Sequence, residues 1–279
     1  MEKIISHLEQ IIRKSIVIYL EGKSIWKIFF LPFFILMLLS LILLLFPYSQ
    51  VFAGASFLRF DLYPETGFIN FLVSLFLEFK FDYHLLLNDF IIFVVILLAI
   101  LCIFSYCAIV TITITKNYIT SGKIEFALNN FEGKLLSVIS SYITLFILAS
   151  LATLIVVWLQ ALEFGILTFF VKLAILAIWF VIFLIFWFVP QAIVVDDRSL
   201  ASAMSASTKF VSKDFKFILI FLAMAGIAME ILYLFGSLHW TLLGIVYAVN
   251  FMLLLPLLIV IQTAIYITRY TLRGISLEQ

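Results

Sequence analysis

The amino-acid sequence predicts an all-α fold, a polytopic integral membrane helical bundle with six transmembrane helices and amphipathic cytoplasmic elbow helices. Composition is the first observation behind this prediction, because 66% of the 279 residues are hydrophobic and only 12% are charged. A soluble domain carries about 25% charged residues, and this chain has too few to cover a soluble core with a polar surface. The composition excludes a soluble enzyme, a disordered chain and a nucleic-acid-binding domain.

Long apolar runs separated by charged residues are the second observation. Each run has about 19 residues or more, which is enough for a helix to cross about 30 Å of hydrocarbon. Apolar residues fill every register of these runs, so strands of alternating polarity are not predicted. The six predicted spans are Ile28–Phe46, Phe90–Thr115, Leu135–Trp158, Leu173–Val195, Phe215–Leu234 and Thr241–Thr268.

The distribution of basic residues is the third observation and predicts the orientation. Six spans place both termini on one side of the membrane, and all but three of the 17 basic residues lie on that side. The exceptions are Arg59, Lys80 and Lys172. Because loops rich in Lys and Arg stay in the cytoplasm, we predict a multi-pass protein of the cell membrane with both termini cytoplasmic.

We predict that residues 1–279 form a single transmembrane domain. Residues 1–24 are predicted to form an amphipathic cytoplasmic helix, because Leu8 and Ile12 belong to an apolar face that repeats at helical spacing. Two interpretations are open: the helix lies in the membrane interface near anionic headgroups, or it packs on the protein's own cytoplasmic face.

An outer loop is predicted over residues 48–89, between the first two spans. Within it, the apolar segment 68–79 is too short to cross a membrane, so it is interfacial or re-entrant.

The segment between the fourth and fifth spans, residues 190–213, carries a distinctive pattern, and we call it the Pro190 elbow. Its proline kinks or ends a span, its serine or aspartate can cap a new helix, and its small residues at four-residue spacing let another helix approach closely. We therefore predict an elbow or interface at this segment. The candidate residues are Pro190, Asp196, Asp197, Ser199, Ala203, Ser207 and Lys213.

The Pro190 elbow resembles a segment of a poorly characterised family of prokaryotic and archaeal six-span membrane proteins. That family is similar to the membrane domain found beside some glycerophosphodiester phosphodiesterases. The resemblance implies six helices with interfacial elbows over almost all of the chain. It implies no activity, because the phosphodiesterase chemistry belongs to a separate soluble domain.

Motifs that carry chemistry are not found in the sequence. The three histidines lie in different elements, without the spacing of a metal site, and no nucleophile or phosphate-binding motif is complete. We therefore predict a protein that is not an enzyme, with no catalytic residue, no metal and no cofactor.

Ionisable residues at membrane depth are the remaining candidates for a site. Gln160, Glu163, Lys172 and Glu230 are predicted to meet toward the outer leaflet, and we call them the outer polar cluster. In one interpretation they form an outward-facing polar pocket or a proton-linked site. In the other, Lys172 pairs with a carboxylate and only fixes the register of the helices.

The functional prediction is a non-enzymatic membrane module that interacts with lipid or protein through its elbows and outer loop. The predicted partners are the lipid bilayer and anionic headgroups bound by the basic elbows; a protein partner stays open, and no nucleic acid is predicted. The alternative is a small-solute or lipid transporter that uses the outer polar cluster and the sixth span, which Pro256 interrupts.

Overall fold

The computed structural model of the protein describes residues 2–21, 30–39, 83–122, 131–161, 166–237 and 240–271. This part of the chain is helical apart from short connections, and it contains no strand. The all-α prediction is therefore confirmed. The helices are α1 (Glu2–Glu21), α2 (Phe30–Leu39), α3 (Tyr83–Ser121), α4 (Phe131–Ala161), α5 (Ile166–Trp187), α6 (Val189–Val195), α7 (Leu200–Ser237), α8 (Trp240–Val249) and α9 (Leu255–Tyr266), with π-helical segments Asn250–Leu254 and Ile267–Thr271 on either side of α9.

Five described helical segments are long and apolar enough to cross a membrane. They correspond to the second to sixth predicted spans. Of the first predicted span, the structure describes only the ten residues of α2, and the predicted segment 68–79 lies outside the described residues. The spanning segments are Val95–Ser121, Phe131–Ala149, Leu173–Val195, Leu200–Gly236 and Asn250–Arg269.

Helix α3 begins at Tyr83, inside the predicted outer loop 48–89. Its 39 residues make a helix of roughly 58 Å, which exceeds the hydrocarbon thickness of about 30 Å. A helix satisfies its own backbone groups, so it continues through Asn88 and Asp89 although the apolar run starts only at Phe90. Residues 83–89 are consequently helical.

The short helix α6 is the centre of the bundle. All seven of its residues, Val189 to Val195, are buried. It packs against α3, α4, α5 and α7, so the described spans meet around a helix of only two turns. The main apolar core is built from its side chains, such as Ala192 and Ile193, together with neighbours such as Phe188 and Ile265.

Helix α7 joins the Pro190 elbow to a spanning segment without a loop. Ala203 and Phe210 are buried in its first half, whereas Ile227 and Leu234 are exposed in its second half. The halves meet at Asp214, whose φ of −113° and ψ of 23° are not helical. The predicted start of the fifth span at Phe215 thus coincides with a kink inside one helix. A kink keeps nearly all backbone hydrogen bonds, which a loop at the membrane boundary would lose.

The amphipathic helix α1 packs on the protein itself. Its apolar face, including Leu8, Ile11 and Ile18, is buried, and its neighbour is α9. Of the two interpretations of this helix, packing on the protein accounts for its apolar face. Val17 and Leu20 are exposed on another side of the helix, where lipid can still contact it.

Tyr19 fastens the end of α1 to a spanning segment. Its hydroxyl donates a hydrogen bond to the backbone carbonyl of Met252, at 2.9 Å. Met252 lies in the π-helical segment Asn250–Leu254, where the wider turn departs from regular α-helical hydrogen bonding. Burial raises the pKa of Tyr19 to about 12, so the phenol stays protonated and remains a donor at physiological pH.

Replacing Tyr19 with Phe should lower the free energy of unfolding by about 1–2 kcal/mol, because the Met252 carbonyl loses its donor. Tyr106→Phe is the matched control, since it makes the same chemical change on an exposed side chain. The measurement is denaturant unfolding in detergent micelles followed by circular dichroism. Equal effects of the two variants would mean that the Tyr19 hydrogen bond does not hold α1.

Candidate functional site

The candidate site lies where the fourth predicted span breaks. Helix α5 ends at Trp187, Phe188 has a non-helical φ of −104° and ψ of 2°, and α6 begins at Val189 with Pro190 in its first turn. Proline lacks an amide hydrogen and its ring clashes with the preceding turn, so a continuous helix is interrupted there. The break leaves carbonyl groups at the end of α5 without helical donors.

Side chains from two other helices pair with these carbonyls. Ser207 on α7 donates its hydroxyl hydrogen to the carbonyl of Ile185. Gln262 on α9 donates from its amide nitrogen to the carbonyl of Trp187, and the same nitrogen lies 3.4 Å from Oε1 of Gln191. An unpaired carbonyl inside a membrane costs several kcal/mol, so these side chains stabilise the break and bind α7 and α9 to it.

A lysine caps the other end of α6. Nζ of Lys116, on α3, donates to the carbonyl of Val195 at 2.7 Å. The last carbonyls of a helix have no internal partner and carry partial negative charge, which favours a cation at this position. Lys116 therefore ties α3 to the end of α6.

Two aspartates follow α6 and bring further helices to the same place. Oδ2 of Asp196 accepts a hydrogen bond from the Tyr266 hydroxyl at 2.8 Å and lies 3.3 Å from Nε of Arg198. Asp197 has a φ of 54°, in the left-handed region that aspartate enters more readily than most residues. Its carboxylate forms an ion pair with Nζ of Lys134, which is buried on α4.

Three aromatic rings pack beneath these polar contacts. Phe188 and Phe210 meet edge to face with centroids 4.8 Å apart. Phe210 and Tyr266 do the same at 5.3 Å, while Phe188 and Tyr266 stack at 6.4 Å. Each ring comes from a different part of the fold, so the cluster joins the α5–α6 break to α7 and α9.

An ion pair between buried Asp214 and half-buried Arg269 occupies the kink of α7. Oδ1 of Asp214 lies 2.9 Å from Nη1 of Arg269, and the Arg269 guanidinium carbon is 4.0 Å from the centroid of the Phe217 ring. The pair joins α7 to the π-helical segment Ile267–Thr271. A buried charge is tolerated only when it is paired, so each partner depends on the other.

The structure distributes the predicted elbow residues over both buried and exposed positions. Pro190, Ala203 and Ser207 are buried in the packing of α6 against α7, Asp196 is half-buried, and Asp197, Ser199 and Lys213 are exposed. The carbonyl of Ser199 accepts the first hydrogen bond of α7, from the amide of Ala203 at 2.8 Å. Ala203 and Ser207 therefore belong to a close helix contact, and Lys213 lies on the outer surface.

The outer polar cluster stays a prediction. Glu163 and the side chains of Gln160 and Lys172 lie outside the described part of the structure, and Glu230 is half-buried on α7.

The sequence prediction missed several residues that hold the site together. Gln191, Tyr266 and Asp214 are not among the predicted residues, and Lys116 and Arg269 enter the prediction only as basic residues that assign the orientation. A signal was present for Gln191 and Gln262, since an amide within an apolar span needs a partner. Asp214 gave none, because it stands between Lys213 and Lys216 in a segment that looks solvated.

What this arrangement does chemically is to pair polar groups across helices. Within the described residues, no group of three His, Cys, Asp or Glu side chains is placed to hold a metal ion. Comparison of the chain with protein-family models, curated proteins and solved structures finds no match. The family resemblance of the Pro190 elbow therefore stays a prediction.

The Asp214–Arg269 pair yields a test of buried pairing. Arg269→Met alone should lower the free energy of unfolding by about 3–5 kcal/mol, because it leaves the buried Asp214 carboxylate uncompensated. Asp214→Leu alone should lower it by less, because the Arg269 side chain is half-buried. The double variant should recover most of that loss, since it removes both charges. Unfolding in detergent micelles measures all three variants.

Arg13→Gln is the matched control, because Arg13 forms an exposed pair with Glu9 at 3.2 Å. It should change the free energy of unfolding by less than about 1 kcal/mol. Additive losses in the Asp214/Arg269 double variant would show that the two charges do not depend on each other.

Proposed function

We propose that this protein is a non-enzymatic, six-span membrane module that interacts with lipids or proteins through the Pro190 elbow end of its bundle. Five apolar helical segments support the membrane assignment, and α2 lies within the first predicted span, Ile28–Phe46. We propose lipid or protein binding because the polar groups join helices to one another and no catalytic motif is found in the sequence.

One observation carries this proposal: the polar groups of the elbow are used to join helices. Lys116 reaches from α3 to α6, Lys134 from α4 to Asp197, and Tyr266 from α9 to Asp196. A reactive group needs to remain available to a substrate, whereas these groups are occupied by one another. Such an arrangement fits a rigid surface at the Pro190 elbow end of the bundle, to which lipids or proteins bind.

The same contacts support the proposed orientation. Lys116 and Lys134 flank the connection between the second and third spans, Arg198 lies between the fourth and fifth spans, and all three meet beside Val195–Asp197. Basic residues gathered at one end of a bundle favour a cytoplasmic location for that end. We therefore propose a cell-membrane protein whose elbow end and two termini face the cytoplasm.

A transporter is the second candidate, and the last span favours it. The π-helical segment Asn250–Leu254 interrupts this span just before Pro256. Within the described structure, Oδ1 of Asn250 is buried without a hydrogen-bond partner. π-helical turns occur frequently at functional sites, and interrupted helices occur at transport sites. In this candidate, the outer polar cluster supplies the charged groups.

Cysteine labelling tests the proposed topology. In a variant whose native cysteines are replaced by serine, Ile5→Cys and Ile275→Cys should react with a membrane-impermeant maleimide only from the cytoplasmic side. Leu62→Cys should react only from outside, because the first outer loop contains it. Reaction of residues 5 and 275 from opposite sides would rule out an even number of spans.

The outer polar cluster distinguishes the two candidate functions. If Lys172 only pairs with Glu230, Glu230→Gln should destabilise the protein and Glu230→Gln/Lys172→Met should restore stability, because the second change removes the stranded charge. If Glu230 serves transport, Glu230→Gln should unfold like the wild type and abolish solute flux in proteoliposomes. Thermal unfolding in detergent and a flux assay separate these outcomes.

A further inference from the structure

A row of three exposed lysines, Lys209, Lys213 and Lys216, lies around the kink of α7. Lys209 and Lys213 are four residues apart, which places them on one side of the helix, and Lys216 follows just beyond the kink at Asp214. All three are exposed. The opposite side of the same turns, with Phe210 and Asp214, is buried against the bundle. The row therefore faces away from the protein.

The described residues do not neutralise the positive charge of these three lysines. Among the described residues, none forms an ion pair with Lys209, Lys213 or Lys216. The neighbouring hydroxyls of Thr208 and Ser212 donate to carbonyls of their own helix, at 2.8 and 3.0 Å.

The pairing of Asp214 with Arg269 leaves the positive charge of this surface unneutralised. In the sequence, Asp214 lies between Lys213 and Lys216 and would partly neutralise them. In the structure its carboxylate is turned inward, where Arg269 pairs with it at 2.9 Å. The kink of α7 thus separates the acidic group from the three basic ones.

The same helix face becomes apolar as it enters the spanning half. Ile227 and Leu234 are 61% and 62% exposed, and they follow Lys216 at spacings that keep them on the side of the lysine row. Phe215 and Leu219 are also exposed near the change from basic to apolar. Exposed apolar side chains on a spanning helix are covered by acyl chains, and lysines beside them are at headgroup depth.

We propose that Lys209, Lys213 and Lys216 form a binding surface for anionic phospholipid headgroups. The ammonium groups contact the lipid phosphates, and the acyl chains lie along the apolar face that continues from the row. The proposal rests on the proposed function, because the elbow end must face a leaflet that contains anionic lipid. Charge complementarity and the adjoining apolar face select lipid over an acidic protein, which would cover only the lysines.

Quenching in vesicles tests this surface directly. A fluorophore is attached at Ser212→Cys, an exposed position within the row, in the full chain with its native cysteines replaced by serine. The quencher is an anionic phospholipid that carries a nitroxide next to its headgroup, diluted in phosphatidylcholine. Phosphatidylcholine that carries the same nitroxide gives the baseline.

The decisive comparison is between two variants that each lose two positive charges. Lys209→Gln/Lys213→Gln should raise the concentration of anionic lipid needed for half-quenching by about fivefold for each lysine. Arg13→Gln/Lys14→Gln, which changes exposed bases on α1, should change it less than about twofold. The preference of the wild-type protein for the anionic phospholipid over phosphatidylcholine should disappear near 1 M salt, where the screening length is about 3 Å.

The proposal would be overturned if the wild type and Lys209→Gln/Lys213→Gln needed the same concentration of anionic lipid for half-quenching. An acidic protein would then be the better occupant of this surface. Wild-type preference that survives near 1 M salt would overturn it as well. Cysteine labelling reports the orientation independently. Cytoplasmic termini combined with equal quenching would refute the lipid surface and leave the proposed function standing.

Discussion

The bundle depends on pairing the backbone carbonyls that the break at Pro190 leaves without helical donors. A spanning helix normally satisfies its own backbone, and lipid offers no substitute when it does not. Here the donors are Ser207 and Gln262, which come from α7 and α9. Pairing a broken helix end therefore fixes the position of two further helices. The small side chain of Ala203, buried beside Ser207 on α7, allows α7 to approach closely enough for its hydroxyl to reach.

The charged residues of the elbow end divide into two groups with different tasks. Lys116, Lys134 and Arg269 are directed inward and contact a helix end or a carboxylate. Lys209 and Lys213, on the outer side of α7, are exposed. The rule that basic residues mark the cytoplasmic side does not depend on whether a lysine or arginine is directed inward or exposed. The same number of basic residues can therefore serve both helix packing and an exposed basic surface. The inward-directed contacts of the first group specify which helices meet.

Local properties of the sequence were enough to predict the helices, but not their neighbours. Five spans and the break at Pro190 could be predicted because hydrophobicity and the missing amide hydrogen belong to the segment itself. The partner of Gln262 is 75 residues away, and the helical period does not indicate which helices touch. Asp214 looked solvated because its sequence neighbours are lysines, whereas the kink turns it inward. For α1, an apolar face is needed both at an interface and against a protein, so amphipathicity could not decide between them.

The separation between Trp187 and Gln262 also has a consequence for how the protein is made. A ribosome delivers the chain from its N-terminus, so α5 and α6 enter the membrane well before α9 exists. During that interval the Trp187 carbonyl lacks the amide that later pairs with it. The centre of the bundle can therefore close only after the final span has been inserted, and biogenesis of this protein must tolerate an incomplete core while translation proceeds.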